Sequence, residues 1–274
     1  MRLFLPIILI STLLTGCSSM NTSSESSHDA AAAIRVVTYN IKHGRGMDGT
    51  INLERTAATL QTLDADIIAL QEVDELASRS GGVNQATWLA ERLGMHAVFG
   101  AFMDFQGGRY GLAILSRRPI HSHEAWRLPD GNEPRVALAA RIPTESGEAF
   151  TAIAVHFDWV NDDGYRFEQA RETIRRIQAL ETPWITLGDF NDVPGSRTMV
   201  AFDQIGRNAM KPRDAAATFP ADQPTIDIDH IITGPPGAWM PASAMVIPES
   251  QTSDHRPVVA KLLIIKNEMK SLTK

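Results

Sequence analysis

Several short apolar runs in this chain stop on a residue that can bind a metal ion or carry a proton. The clearest is Pro183-Trp184-Ile185-Thr186-Leu187, followed at once by Gly188-Asp189-Phe190-Asn191. A run of that length and composition reads as a buried strand. Residues two apart on a strand share a face, so Asp189 and Asn191 point the same way. Both offer hard oxygen atoms, the kind Mg²⁺ and phosphoryl chemistry require. Gly188 permits close backbone approach at that point.

The same punctuation recurs along the chain. Asn40 ends Thr38-Tyr39-Asn40, Glu72 ends Leu70-Gln71-Glu72, and His156 and Asp158 close Val155-His156-Phe157-Asp158. Asp229 lies in Ile226-Asp227-Ile228-Asp229-His230-Ile231, and Asp254 and His255 in Ser253-Asp254-His255-Arg256-Pro257. A single Asn or Asp at a strand end is ordinary turn chemistry, and a single His is usually a satisfied core or surface residue. The set is harder to dismiss, because every member is a metal ligand or a proton-transfer group.

Strand patterns cover residues 34–40, 66–72, 96–99, 112–115, 136–142, 150–156, 226–232 and 258–264. Helical spacing appears in 52–63, with Asn52 as its cap, in 84–93, stopped by Gly94, and in 164–181. Helices lie early and midway, with strand pairs between and after them. That order predicts an α+β layered sandwich rather than a doubly wound sheet. With 274 residues and 43% hydrophobic content, one large domain over 34–266 is the simplest organisation. Residues 267–274 read as a C-terminal tail.

Residues 1–16 read as a signal peptide. Met1-Arg2 precedes an apolar stretch too short to anchor a helix across a bilayer, and the stretch ends in Leu14-Thr15-Gly16-Cys17. This resembles a bacterial lipobox, which implies cleavage before Cys17 and lipidation of its thiol. A plain secretory signal with an incidental cysteine is the alternative. Cys17 is the only cysteine, so no intramolecular disulfide can form. Ser18 resembles a signal for outer-membrane sorting, and residues 17–33 read as a flexible tether. The expected location is the cell envelope, facing periplasm or exterior. The net charge of −6 argues against a broad basic surface for nucleic acid.

Taken jointly, the order Asn, Gln-Glu, His-x-Asp, Gly-Asp-Phe-Asn, Asp-His-Ile, Ser-Asp-His-Arg-Pro resembles the endonuclease/exonuclease/phosphatase (deoxyribonuclease I-like) superfamily. Arg79-Ser80-Gly81-Gly82-Val83-Asn84-Gln85 and Tyr110-Gly111-Leu112-Ala113-Ile114-Leu115-Ser116 are similar to its bacterial members. One departure is Leu112, where the pattern usually has Asn. The resemblance implies a four-layer α/β-β/α sandwich, two packed mixed sheets with outer helices.

It also implies a metal-dependent phosphoesterase acting by in-line water attack. Glu72, Asn40 and Asp254 are the implied ligands of Mg²⁺, with Mn²⁺ able to substitute. Asp189 is the implied base for water, positioned with Asn191. His255, held by Asp229, and His156 are the implied phosphate contacts. Arg79, Arg109, Tyr110, Arg135 and Asp158 are candidate substrate-binding residues, since they flank strand-end loops. Arg166, Arg171, Arg175 and Arg176 share a helix with Glu168 and Glu172 and read as a solvated, paired face. Trp88 reads as core. A monomer acting on nucleic acid, a phospholipid or sphingolipid, or a small phosphoester is expected. The competing reading is a lipid-anchored binding protein that keeps the fold without catalysis.

Overall fold

The computed structural model describes residues 33–265 except Ser146 and Pro241. The expected signal peptide, the expected lipidation site Cys17, nearly all of the expected tether and the expected C-terminal tail lie outside the described residues. In chain order the elements are β1 (Ile34–Asn40), α1 (Leu53–Thr62), β2 (Ile67–Glu75), α2 (Gln85–Leu93), β3 (His96–Phe105), β4 (Gly108–Ser116), β5 (Ser122–Arg127), β6 (Val136–Pro143) and β7 (Ala149–His156). They continue with α3 (Gly164–Gln178), β8 (Trp184–Asp189), α4 (Arg197–Asp203), β9 (Arg207–Asn208), β10 (Asp229–Gly234), β11 (Ala244–Val246) and β12 (Val258–Leu262).

Two six-stranded mixed sheets result, in the orders β11-β12-β1-β2-β4-β3 and β5-β6-β7-β8-β10-β9. Neighbouring residues of one strand enter different cores. Val36 lies between the sheets with Ile67, Leu138 and Ile185, while Val37 faces α1 and α2 with Leu60 and Leu89. On the other sheet, Ala154 turns inward and Val155 turns out beneath α3 and α4, against Ala170 and Phe202. Helices therefore cover the outer face of each sheet. Strands apolar on both faces read as continuous hydrophobic runs, which is why the sequence lacks clean alternation there. Each fully buried Leu or Ile in these layers contributes roughly 1.5–3 kcal/mol.

The caps obey local rules. Asn52 and Asn84 accept N–H bonds from Arg55 and Thr87, and Gly94 ends α2 in the left-handed region. Several boundaries move. β3 and β4 are longer than the sequence suggests and form a hairpin, turned by Gln106 and Gly107 with φ of 47° and 81°. β10 begins at Asp229 rather than Ile226, and α3 stops at Gln178. β5, α4, β9 and β11 carry too little periodicity to be seen.

Two parallel pairs set up the site. β1 and β2 pair in parallel with α1 as crossover, and β7 and β8 pair in parallel with α3 as crossover. The C-terminal ends of both pairs lie at one end of the sandwich. Gly188 allows the second pair to close, since a Cβ there would meet the Val155 carbonyl at 2.0 Å.

Candidate active site

Strand register alone places three site residues side by side. His156 is the β-partner of Asp189 across β7–β8, and Asp229 is its partner across β10–β8. From the other sheet, the Asn40 carboxamide donates to Glu72 Oε1 at 3.0 Å and to Asp189 Oδ2 at 3.2 Å. Asn40 therefore bridges the two sheets. Glu72 reaches it from a break in the β2–β4 register, with φ of 58°. Such a bulge re-aims a side chain that would otherwise follow the pleat.

Asp189 is the centre of the cluster. Its Oδ2 lies 3.5 Å from His156 Nε2 and 3.6 Å from His255 Nε2, and its Oδ1 accepts the Asn191 N–H at 2.9 Å. His255 Nδ1 is 2.9 Å from Asp229 Oδ2, and the Phe219 ring packs against the imidazole. Asn191 sits at φ 50° and donates its carboxamide to the Phe157 carbonyl at 3.0 Å. Ser253 Oγ donates to the Asn40 carbonyl at 2.7 Å, fastening the Asp254–His255 loop to β1.

Burial and charge set the protonation states. Burial pushes the Asp189 carboxyl up to about 7, against the pull of the nearby His255. Burial opposes the charged form of His255, but the carboxylates of Asp229 and Asp189 outweigh it and hold the imidazole well above its usual value. Asp229 ends below the ordinary carboxylate value, because His255 more than offsets its own burial. His156 is held well below its usual value by burial, with Arg135 and His255 adding to the effect. His156 is thus a neutral donor and His255 a cation, two roles separated by environment.

The remaining candidates divide. Arg135 is 1% exposed. Its Nη2 pairs with Glu133 at 3.0 Å, its guanidinium covers the Phe102 ring, and its Nε and Nη1 are buried without hydrogen-bond partners among the described residues. Its charge acts on Glu72, Tyr110 and His156, so it belongs to the cluster. Tyr110 packs edge-on against Phe102. Arg79 forks onto the buried Asp74 at 2.8 and 2.7 Å and stacks over Phe105 and Tyr110. It braces Tyr110 rather than standing free. Arg109 pairs with Glu75 at the rim of a shallow groove lined also by Leu76 and Phe105.

Asp158 is fully buried and does not line the site with a free carboxylate. Its oxygens accept from the backbone N–H of Asn132 at 2.6 Å and of Val160 at 3.1 Å. It clamps the loop that leads to Arg135. Arg166 also departs from the solvated face expected of it. It is buried, pairs with Asp192 and donates to the carbonyls of Asp158 and Val160. The pairs Glu168–Arg171, Glu172–Arg175 and Glu172–Arg176 do form on that face. Trp88 packs against the α1–α2 core, and Leu112 is wholly buried between the sheets.

One neighbour was not singled out in the sequence. Lys42, two residues past Asn40, places its ammonium on Asp254. The only signal for it is a cation in the loop just after a strand end.

The family model for the endonuclease/exonuclease/phosphatase family matches residues 37–255, which include every residue of this cluster. The chain belongs to that family. Its members are hydrolytic phosphoesterases and commonly use divalent metals. Protein YbhP of Escherichia coli K12, described as uncharacterized, is 27% identical over 246 residues, covering 84% of this chain and 96% of its own. A Bacteroides thetaiotaomicron mannosyl-6-phosphatase structure superposes with a TM-score of 0.70 at 20% identity, over 84% of this chain and all of its own. The human Nocturnin catalytic domain, solved with bound sulfate, gives 0.67 at 22% identity, over 85% and 95%. At these identities the structural likenesses speak to fold alone.

The donor set suits a hard divalent cation. Glu72 is a carboxylate that burial pushes upward, and it forms no ion pair within 4 Å among the described residues. Asp189, Asp229 and His255 also offer ligand atoms within 4.8 Å of one another, with His255 Nδ1 engaged by Asp229 Oδ2 at 2.9 Å.

Proposed function

We propose that this chain is a divalent-metal-dependent phosphoesterase that hydrolyses its substrate by in-line attack of water. The observation that carries this reading is the Asp189 carboxylate, linked through Asn40 to Glu72 and flanked by one neutral and one cationic histidine. Asp189 takes the proton of the attacking water, and Asn191 orients that water or the phosphoryl group. The water oxygen bonds to phosphorus as the bond to the leaving oxygen breaks. His255, kept cationic by Asp229, and neutral His156 donate to non-bridging oxygens. The buried Nε and Nη1 groups of Arg135, without partners among the described residues, supply further donors to the phosphoryl group. Mg²⁺ held by Glu72 and Asn40, with Mn²⁺ able to substitute, would neutralise the phosphoryl oxygens and the leaving alkoxide. Positioning and charge neutralisation account for most of the rate.

An amphiphilic phosphoester is favoured over nucleic acid as substrate. Met47, Ile51, Leu76, Trp159, Tyr165, Val193 and Ile226 are large apolar side chains exposed on segments beside the strand ends that carry the site. The net charge is −6. The Cys17 lipobox would hold such an enzyme, as a monomer, at a membrane of the cell envelope. The test is hydrolysis of bis(p-nitrophenyl) phosphate, p-nitrophenyl phosphate, plasmid DNA and sphingomyelin vesicles with Mg²⁺. Activity should vanish with EDTA and in Glu72→Gln. A folded protein inactive on all four substrates, or indifferent to EDTA, refutes the reading.

A further inference from the structure

Lys42 and Asp254 lie 212 residues apart in sequence, yet the lysine ammonium sits directly on the Asp254 carboxylate at the edge of the site. Asp254 is one of the oxygen groups the sequence offers as a metal ligand, and here a side chain of the protein already occupies it.

The lysine is held there by its backbone. Lys42 and His43 both have φ of 46°, a left-handed conformation that non-glycine residues adopt only when their surroundings impose it. The surroundings are visible. The Lys42 N–H donates to Asn40 Oδ1 at 3.1 Å, and Gln85 Nε2 donates to the His43 carbonyl at 2.8 Å. The Gly44 N–H closes back on the Ile41 carbonyl at 2.8 Å. The loop is thus tied to the same Asn40 that bridges Glu72 and Asp189. Asp254 is held from its own side, since Ser253 Oγ lies 3.4 Å from its Oδ1 and donates to the Asn40 carbonyl.

The charges around the site can then be apportioned. Glu72, Asp189, Asp229 and Asp254 are its carboxylates. His255 lies against both Asp189 and Asp229, and Lys42 lies on Asp254. Arg135 is matched by Glu133. Among the described residues, Glu72 is the one of these four carboxylates with no basic side chain within 4 Å. An ion at Asp254 would have to displace an ammonium tethered by a pinned loop.

We infer that Lys42 takes the place of a second metal ion, so that the site binds one divalent cation, at Glu72, while the Lys42 ammonium supplies the other positive charge on the Asp254 side. The lysine side chain is 34% exposed and the Asp254 side chain 22% exposed, so this charge faces solvent and an incoming phosphoester. The inference rests on the phosphoesterase reading and specifies its metal content.

The experiment is a titration of the purified chain with Mn²⁺, following free ion by electron paramagnetic resonance, with no substrate present. The wild type should bind one ion per chain. Glu72→Gln should bind none, and Asp254→Asn should still bind one. Lys42→Met, which keeps the stem and removes the charge, should bind two, the second more weakly. Lys42→Gln serves if circular dichroism shows the Met variant to be unfolded. Two ions in the wild type, one ion in both folded Lys42 variants, or loss of the ion in Asp254→Asn would each overturn the inference while leaving a metal-dependent phosphoesterase intact. A wild type that binds no Mn²⁺ would overturn the metal-dependent reading and this inference with it.

Discussion

Asp189→Asn separates the catalytic role of Asp189 from its structural one. The substitution keeps size and shape but removes the group that accepts the water proton. Loss of a positioned general base costs about 10²–10⁴ in rate, or roughly 3–5 kcal/mol of barrier. Stability should move the other way. Burial raises the Asp189 carboxyl from 3.8 to about 7. The folded state then binds this proton more tightly than the unfolded chain. That contribution to stability is present at acid pH and is lost as pH rises toward about 7. At pH 8 the ionised carboxylate costs the fold up to about 4 kcal/mol. An asparagine does not bear that cost. It forfeits part of the bonds to Asn40 and the Asn191 N–H, each worth about 1 kcal/mol. The variant should therefore be as stable as the wild type at pH 8, or more so, and lose its relative advantage at pH 5. Steady-state hydrolysis of bis(p-nitrophenyl) phosphate and urea unfolding at the two pH values measure both effects. Activity within tenfold of wild type would remove Asp189 from the base role. Marked destabilisation at pH 8 would show that the carboxylate's pairing with His255 outweighs the cost of burying its charge, against the direction of its pKa shift.

Three other outcomes follow from the same contacts. Arg135→Met keeps the bulk over Phe102 and deletes the unpaired donors, so kcat/KM should fall about 10–100-fold at charge-assisted hydrogen-bond strength; a change under twofold would show that Arg135 does not meet the substrate. His43 and His230 are buried and held down to about 4 and about 3, mainly by burial, so they stay neutral in the fold while the unfolded chain protonates near 6.5. Each should cost about 1.4 kcal/mol of stability per pH unit as pH falls below 6.5, and His230→Gln should flatten the urea-midpoint profile between pH 6 and 4; an unchanged slope would count against the assignment. In Gly188→Ala, the added methyl would drive into the Val155 carbonyl between β7 and β8, so a drop in melting temperature and in activity together is expected, and a fully stable, fully active variant would contradict the strand spacing.

The structure brings together Asn40, Glu72, His156, Asp189, Asn191, Asp229 and His255, the residues that stop apolar runs in the sequence. They were legible because a buried strand and the polar residue that ends it are neighbours along the chain. The caps Asn52, Asn84 and Gly94 were legible for the same local reason. Asp158 and Arg166 were not. A carboxylate and a guanidinium look alike in sequence whether they face a substrate or a ring of backbone groups, and only packing puts Asp158 on the N–H groups of Asn132 and Val160. β5 and α4 escaped notice because the first is mostly exposed and the second is only 7 residues long.

The sequence by itself determined which residue types end the strands, and so the family and the class of chemistry. Tertiary structure decided which of them touch. Asn40 meets Asp189 across 149 residues and Lys42 meets Asp254 across 212, on loops joined only through the pairing and stacking of two sheets. Local propensity extends over one element. Sheet register, the β2 bulge that turns Glu72 inward, and the neighbouring charges that separate neutral His156 from cationic His255, both buried, depend on contacts between distant segments, which no stretch of sequence contains alone.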